Sequence, residues 1–214
     1  GSGLQVLLGY TDYDSATEER LLRAMLSRRP EGVVVTGGTH TPGAHRLLKS
    51  AGIPVIETWD LPTQPVEHCV GFSNAEAVGQ LVRGLHAQGY RRIAFLGGVP
   101  ESDARGADRR RGFDRAMRAL KLDATRQLSV GQAPVSMEHG AQGVVQLLRR
   151  WPDTQALVCV SDHPAFGALA ERDLDLFHPW AVVAEQAVEI AQRCEAAALE
   201  VDRRITNSDG AGVS

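Results

Sequence analysis

The sequence predicts an α/β fold, with a parallel sheet in a three-layer αβα arrangement. Two observations carry this. Between residues 4 and 171, short apolar runs alternate with stretches whose apolar residues recur every three to four positions, and strict alternation of strand and helix means parallel strands joined by right-handed crossovers. Within that pattern Arg92 to Phe113 runs from Ile93, Ala94, Phe95 and Leu96 through Gly97, Gly98 and Pro100 into a helix. Strand, loop and helix in that order build the open sheets that hold small ligands at the carboxyl ends of their strands.

Taken in order, Leu4 to Gly9 reads as a strand, and Ala16 to Ser27 as a helix with Leu21, Leu22, Met25 and Leu26 at helical spacing. Gly32 to Thr36 is a β-branched strand, Pro42 to Ala51 a helix opened by proline, and Pro54 to Glu57 a further strand. After a loop around Pro62 and Pro65 come the strand Cys69 to Phe72 and the helix Asn74 to Gln88, closed by Gly89. The central strand and helix follow. Then come the strand Gln127 to Val130, the helix Ser136 to Arg150, the strand Ala156 to Val160 and a helix from Pro164 to about Glu171.

The helix after Pro100 carries Arg109, Arg110 and Arg111. Arg109 lies three residues before Gly112, one turn earlier on nearly the same face, so that Gly112 allows close packing behind it while Phe113 fills core. Arginine's planar fork of five donors suits a carboxylate or a vicinal diol. The competing interpretation of three consecutive arginines is a solvated helix face.

The chain of 214 residues is long enough for one large domain or two small ones, and its net charge of -3 with a pI near 6.2 gives no basic footprint for nucleic acid. No apolar run approaches a membrane span, so a soluble cytoplasmic protein without membrane association is expected. Cys69, Cys159 and Cys194 each lie in an apolar setting and read as reduced thiols. No second histidine or cysteine stands at metal spacing from His178, no G-x-S-x-G elbow occurs, and the glycines near Gly97 do not form G-x-G-x-x-G. Glu138 and His139 are adjacent on a helix and diverge; His163 and His178 read as surface and helix-start residues. No catalytic residue, metal or cofactor is expected.

Residues 4 to 171 resemble the effector-binding core of the LacI/GalR family of transcriptional repressors. The likeness rests on GFSNAEAVGQLVRGLHAQGYRRIAFLGG (Gly71 to Gly98), on Arg109-x-x-Gly112-Phe113 and on ALVCVSDHPAFGALAE (Ala156 to Glu171). THT at Thr39 to Thr41, IPVIETWDL at Ile53 to Leu61 and VGFSN at Val70 to Asn74 resemble the family's gluconate-utilisation branch. The resemblance implies a type I periplasmic-binding-protein-like fold, here truncated at both ends, with one subdomain at residues 4–98 and a second at 99–171. It implies a sugar or sugar acid as effector. Arg109 then grips it, Asn74 contributes from the first subdomain, and Ser161 and Asp162 stand where the family usually has Asn-Asp. Val135 occupies a place where many members carry an aromatic for stacking on a sugar ring, which suits an acyclic ligand such as gluconate. The family's DNA-binding head has no counterpart in this fragment, so no direct DNA contact is expected from it.

Near Arg172 the character changes. Residues 172–214 resemble a stretch of the TldD/PmbA family, on the PmbA side, and hold four Lys or Arg against eight Asp or Glu, a net charge of -4 that leaves +1 for the rest. Two family signatures meeting in one chain suggest a chimera. Pro179 can open a helix that sets Val183, Ala187, Ile190 and Cys194 on one face. Such a stripe must bury against something, either the exposed sheet edge or a second chain, which makes a homodimer possible. A hybrid without ligand function, and a peptidase-associated protein, are the alternatives to a sensor.

Overall fold

The computed structural model describes residues 3–171 and the pair Ala181–Val182. Among the described residues, six helices and seven strands follow one another as α1 (Ser15–Leu26), β1 (Val33–Thr36), α2 (Pro42–Lys49), β2 (Val55–Thr58), β3 (His68–Val70), α3 (Asn74–Ala87), β4 (Ile93–Gly97), α4 (Ala104–Ala119), β5 (Gln127–Ser129), α5 (Met137–Arg150), β6 (Ala156–Cys159), α6 (Asp162–Ala170) and β7 (Ala181–Val182), with a 3-10 turn at Pro100–Ser102. The strands form two all-parallel sheets, ordered β1-β2-β3 and β5-β4-β6-β7.

Short polar side chains start the helices. Asp14 accepts the Thr17 N–H at 2.8 Å, Thr41 that of Ala44, Ser73 that of Glu76 and Asp103 that of Arg105. Ser136 and His139 form a reciprocal capping box at α5, which fixes His139 as a helix-start residue.

The second sheet is covered on both faces. Ile93 and Phe95 of β4 pack with Val82 and Leu85 of α3 and with Phe113 and Met117 of α4, whereas Ala94 and Leu96 pack with Val144 and Leu147 of α5 and Ala168 of α6. Alternate residues of one strand therefore serve opposite layers, as the pleat requires. On the first sheet α1 and α2 cover one face through Leu22, Ala44 and Leu48, while Val34 on the other face remains exposed.

Where helices of the second unit cross, their backbones nearly touch. A Cβ built on Gly112 of α4 would lie 2.7 Å from Cα and C of Ala75 in α3, and closer still to its carbonyl oxygen. Gly140 of α5 and Gly167 of α6 are pinned in the same way against Pro164 and Met137.

Three expectations change. Residues 4–9 form no strand: Leu4, Val6 and Leu8 are exposed, and the segment joins neither sheet. Its apolar run supplies side chains for a sheet face, but a strand exists only through a neighbour's N–H and C=O groups, and among the described residues β1 pairs only with β2. The boundary between units falls after β3, not at residue 98, because α3 and β4 pack into the second sheet. The expected division at 4–98 and 99–171 splits that unit, since an alternating order does not say which sheet a helix covers. Finally, Ala181–Val182 extend the free edge of β6 as β7, so at these two residues the edge is met by a strand rather than by a helix. The rest of the 172–214 expectation, including Cys194 and His178, lies outside the described residues.

Candidate functional site

Arg109 joins the carboxyl ends of both sheets. It sits in the second turn of α4, where its Nε donates to Asn74 Oδ1 at 2.9 Å and its Nη1 to the Val160 carbonyl at 2.8 Å. Val160 directly follows β6. Asn74 opens α3 and donates through Nδ2 to the carbonyl of Trp59, the residue after β2, at 3.1 Å. A single guanidinium is thus tied through one amide to the first sheet and directly to the second.

Both acceptors on Arg109 are neutral, so hydrogen bonds orient the cation without an ion pair. Burial pulls its pKa down from the ordinary arginine value, Asp103 opposes that, Arg105 adds to it, and Tyr13 and Asp162 oppose it. The group remains charged at neutral pH. The Nη2 donors have no acceptor among the described residues.

Adjacent arginines do three different things, because successive helical positions are about 100° apart. Arg110 turns to the end of the second sheet, donating to Gln127, to the Gly98 carbonyl and to Ser129, and it lies over the Phe95 ring. Arg111 pairs with Asp108 on the surface. A solvated face therefore describes Arg111 alone.

The remaining sequence-identified residues sort by burial. Asn74 is fully buried with both ends of its amide engaged, so it positions Arg109. Ser161 and Asp162 follow Val160 at the start of α6 with exposed side chains, and the Ser161 hydroxyl makes no capping bond. His163 is exposed beside them. Val135 is buried in the core of the second unit against Gly98, so it lines no ligand face and gives no guide to ring or open-chain ligands.

Three further residues stand here that the sequence reading passed over. Trp59 is 56% exposed, has a φ of 68° and packs edge-on against Phe72 with ring centroids 6.4 Å apart. Tyr13, in the turn before α1, has a φ of 63°, and Arg105 of α4 lies over its ring at 5.6 Å. Non-glycine residues in the left-handed region are uncommon, and such strain clusters at functional sites. Only the structure exposes that signal.

Guanidinium donors, a free hydroxyl, carboxylates at Asp103 and Asp162 and exposed aromatic faces together suit a small hydroxyl-rich molecule. Among the described residues no cluster of His, Cys, Asp and Glu could hold a metal, and no helix is long and apolar enough to cross a membrane. A surface concavity of about 370 Å³ lies at the opposite end of β2 around Pro54, Lys49 and Glu67.

Residues 2–190 match the family described as periplasmic binding proteins and sugar binding domain of LacI family. The HTH-type transcriptional regulator GntR of Escherichia coli K12 is 33% identical over 172 residues, covering 79% of this chain and 50% of that protein. The chain thus spans about half the length of the curated relatives it matches. A crystal structure of a LacI family transcriptional regulator from Silicibacter pomeroyi superposes with a TM-score of 0.79 at 43% identity, covering 83% of this chain and 66% of that one. A separate likeness, 40% identity over 83 residues, links 38% of this chain to 18% of the metalloprotease PmbA of Escherichia coli O157:H7. The parallel αβα architecture, the two-sheet tether at Arg109 and these matches place the chain in the family of periplasmic binding proteins and LacI-type sugar-binding domains.

Proposed function

We propose that this chain is the effector-sensing part of a cytoplasmic LacI/GalR-type transcriptional regulator, and that its effector is a sugar or sugar acid, with gluconate the first choice. The observation that carries it is the Arg109 tether, which holds a half-buried cation with spare donors between the ends of two sheets. Ser161 and Asp162 supply the hydroxyl and carboxylate that complement a polyol. A ligand bonded to Arg109 and to both sheet ends favours one relative placement of the units. In an intact regulator that bias couples effector binding to the spacing of DNA-binding heads. This segment contributes the sensor and no direct DNA contact, and it catalyses no reaction.

Thermal unfolding with gluconate, galactonate and glucose tests this. At a ligand concentration of about 100 times Kd, binding stabilises by about 2.7 kcal/mol, which for a chain of this size raises Tm by roughly 5–10 °C. Arg109→Ala abolishes the shift while keeping the far-UV spectrum. Melting that no sugar or sugar acid alters at millimolar concentration refutes the proposal.

A second reading concerns residues 172–214. The 40% identity to PmbA runs over 83 residues, nearly twice the length of this segment, and so lends only weak support to a segment of separate ancestry joined to the sensor. Peptide hydrolysis that survives purification and is lost with that segment would give it an enzymatic role; its absence leaves the sensor reading alone.

A further inference from the structure

Arg105 differs from the other cations at this end of the fold. Arg109 is oriented by two hydrogen bonds, with Asp103 and Asp162 acting against its desolvation, and Arg110 donates to three oxygens. The Arg105 side chain is half-buried and has neither a carboxylate partner nor a hydrogen-bond acceptor among the described residues. What holds it is the ring of Tyr13, 5.6 Å from Cζ to centroid. An aromatic face attracts a guanidinium without neutralising it and leaves its N–H donors unspent.

The two partners come from different units. Tyr13 belongs to the turn that leads into α1 on the first sheet, and Arg105 to the first turn of α4 on the second, one helical turn before Arg109. Both influence the charge of Arg109, which places the three groups in one electrostatic neighbourhood. Tyr13 also adopts a left-handed backbone conformation, with Asp12 before it at a φ of 50°. The two are the central residues of a turn closed by the Asp14 N–H donating to the Thr11 carbonyl at 2.9 Å, which fixes where the ring stands.

We propose that Arg105, seated on Tyr13, is the carboxylate-reading residue of the site and selects a sugar acid over a neutral sugar of the same length. The assignment rests on the sensor reading above. Arg109, Ser161 and Asp162 take hydroxyl groups that neutral and acidic sugars share, whereas the Arg105 guanidinium, which has no ion-pair partner among the described residues although Asp103 accepts its backbone N–H, distinguishes the acid. A carboxylate approaching Arg105 meets in-plane donors while the ring of Tyr13 holds the guanidinium across the gap between units. Charge recognition by one such residue is expected to be worth about tenfold to a hundredfold in affinity.

Isothermal titration of the full chain with gluconate and with glucitol, its neutral six-carbon counterpart, tests the assignment. The unaltered chain is expected to bind gluconate at least about tenfold more tightly, and Arg105→Gln to abolish that preference while leaving glucitol binding within about twofold. Tyr13→Leu is expected to weaken gluconate severalfold with the same bias. Equal affinity for the two ligands in the unaltered chain, or an Arg105→Gln chain that keeps its preference or loses both ligands equally, overturns the role of Arg105 and leaves the sensor reading standing. Binding of neither ligand, with no other sugar or sugar acid shifting the melting temperature, overturns both.

Discussion

A single added methyl group at Gly112 should loosen the unit that carries the site. The Cβ of Gly112→Ala would stand 2.7 Å from Cα and C of Ala75 and closer to its carbonyl oxygen, whereas carbon atoms rest about 3.5–4.0 Å apart. The obstacle is backbone, which cannot rotate away, so α3 and α4 must part by about 1 Å. The Ala75 N–H, now bonded to Asp108 at 3.1 Å, moves with α3. Overpacking of this kind costs about 1–3 kcal/mol and occasionally more, while replacing a mid-helix glycine by alanine returns nearly 1 kcal/mol. Taking the upper end because no side chain can yield, the net loss is about 2 kcal/mol, or a Tm lower by roughly 4–8 °C. Gly79→Ala on α3 is the control: its Cβ would find Arg83 Nη1 at 3.3 Å, the end of a flexible side chain, and the Gly112 carbonyl at 3.8 Å. That variant should be neutral or slightly stabilised. Thermal and urea unfolding by circular dichroism measure both, and a Gly112→Ala chain as stable as Gly79→Ala would refute the close crossing of α3 and α4.

Two further predictions concern buried polar groups. His40, with its side chain 2% exposed, is held through Nδ1 by Glu18 at 3.0 Å, and its Nε2 lies 3.3 Å from Glu57 Oε1, an ion-pair contact too bent to serve as a hydrogen bond. The hydrogen bond to Glu18 raises its pKa, so its stabilisation is complete below the unfolded value of about 6.5 and is lost as pH rises through the higher folded value. His40→Gln should therefore cost about 3–5 kcal/mol at pH 5.5 and distinctly less at pH 8.5 in urea unfolding; a difference independent of pH contradicts this. Asn74→Ala leaves Arg109 Nε and the Trp59 carbonyl without partners, and should cost about 1–3 kcal/mol. It should also weaken ligand binding through misplacement of Arg109, as titration would show, and unchanged affinity would count against a positioning role.

The alternation of elements was legible because the hydrophobic period switches cleanly between strands and helices, and α2, α3 and β4 lie within two residues of their expected bounds. Assignment to sheets was not. The period of α3 records that Val78, Leu81, Val82 and Leu85 are buried, without recording that β4 of the second unit buries them. Residues 4–9 failed for the same reason, since pairing is a property of two segments and a sequence run shows only one. Arg109 could be singled out from its spacing to Gly112, which lies against Ala75, and to Phe113, which packs on Phe95. Asn74 was found as a residue near the site but not as a fully buried one. Tyr13, Arg105 and Trp59 carry no motif, and their relevance lies in backbone angles and in a contact across units that local sequence does not encode.

The most direct test is a crystal structure of the chain soaked with gluconate. The account predicts ligand density at the carboxyl ends of both sheets, with a ligand oxygen within about 3.2 Å of Arg109 Nη2. Ligand bound elsewhere, or a site in which Arg109 keeps only its bonds to Asn74 and Val160 at saturating gluconate, would contradict it.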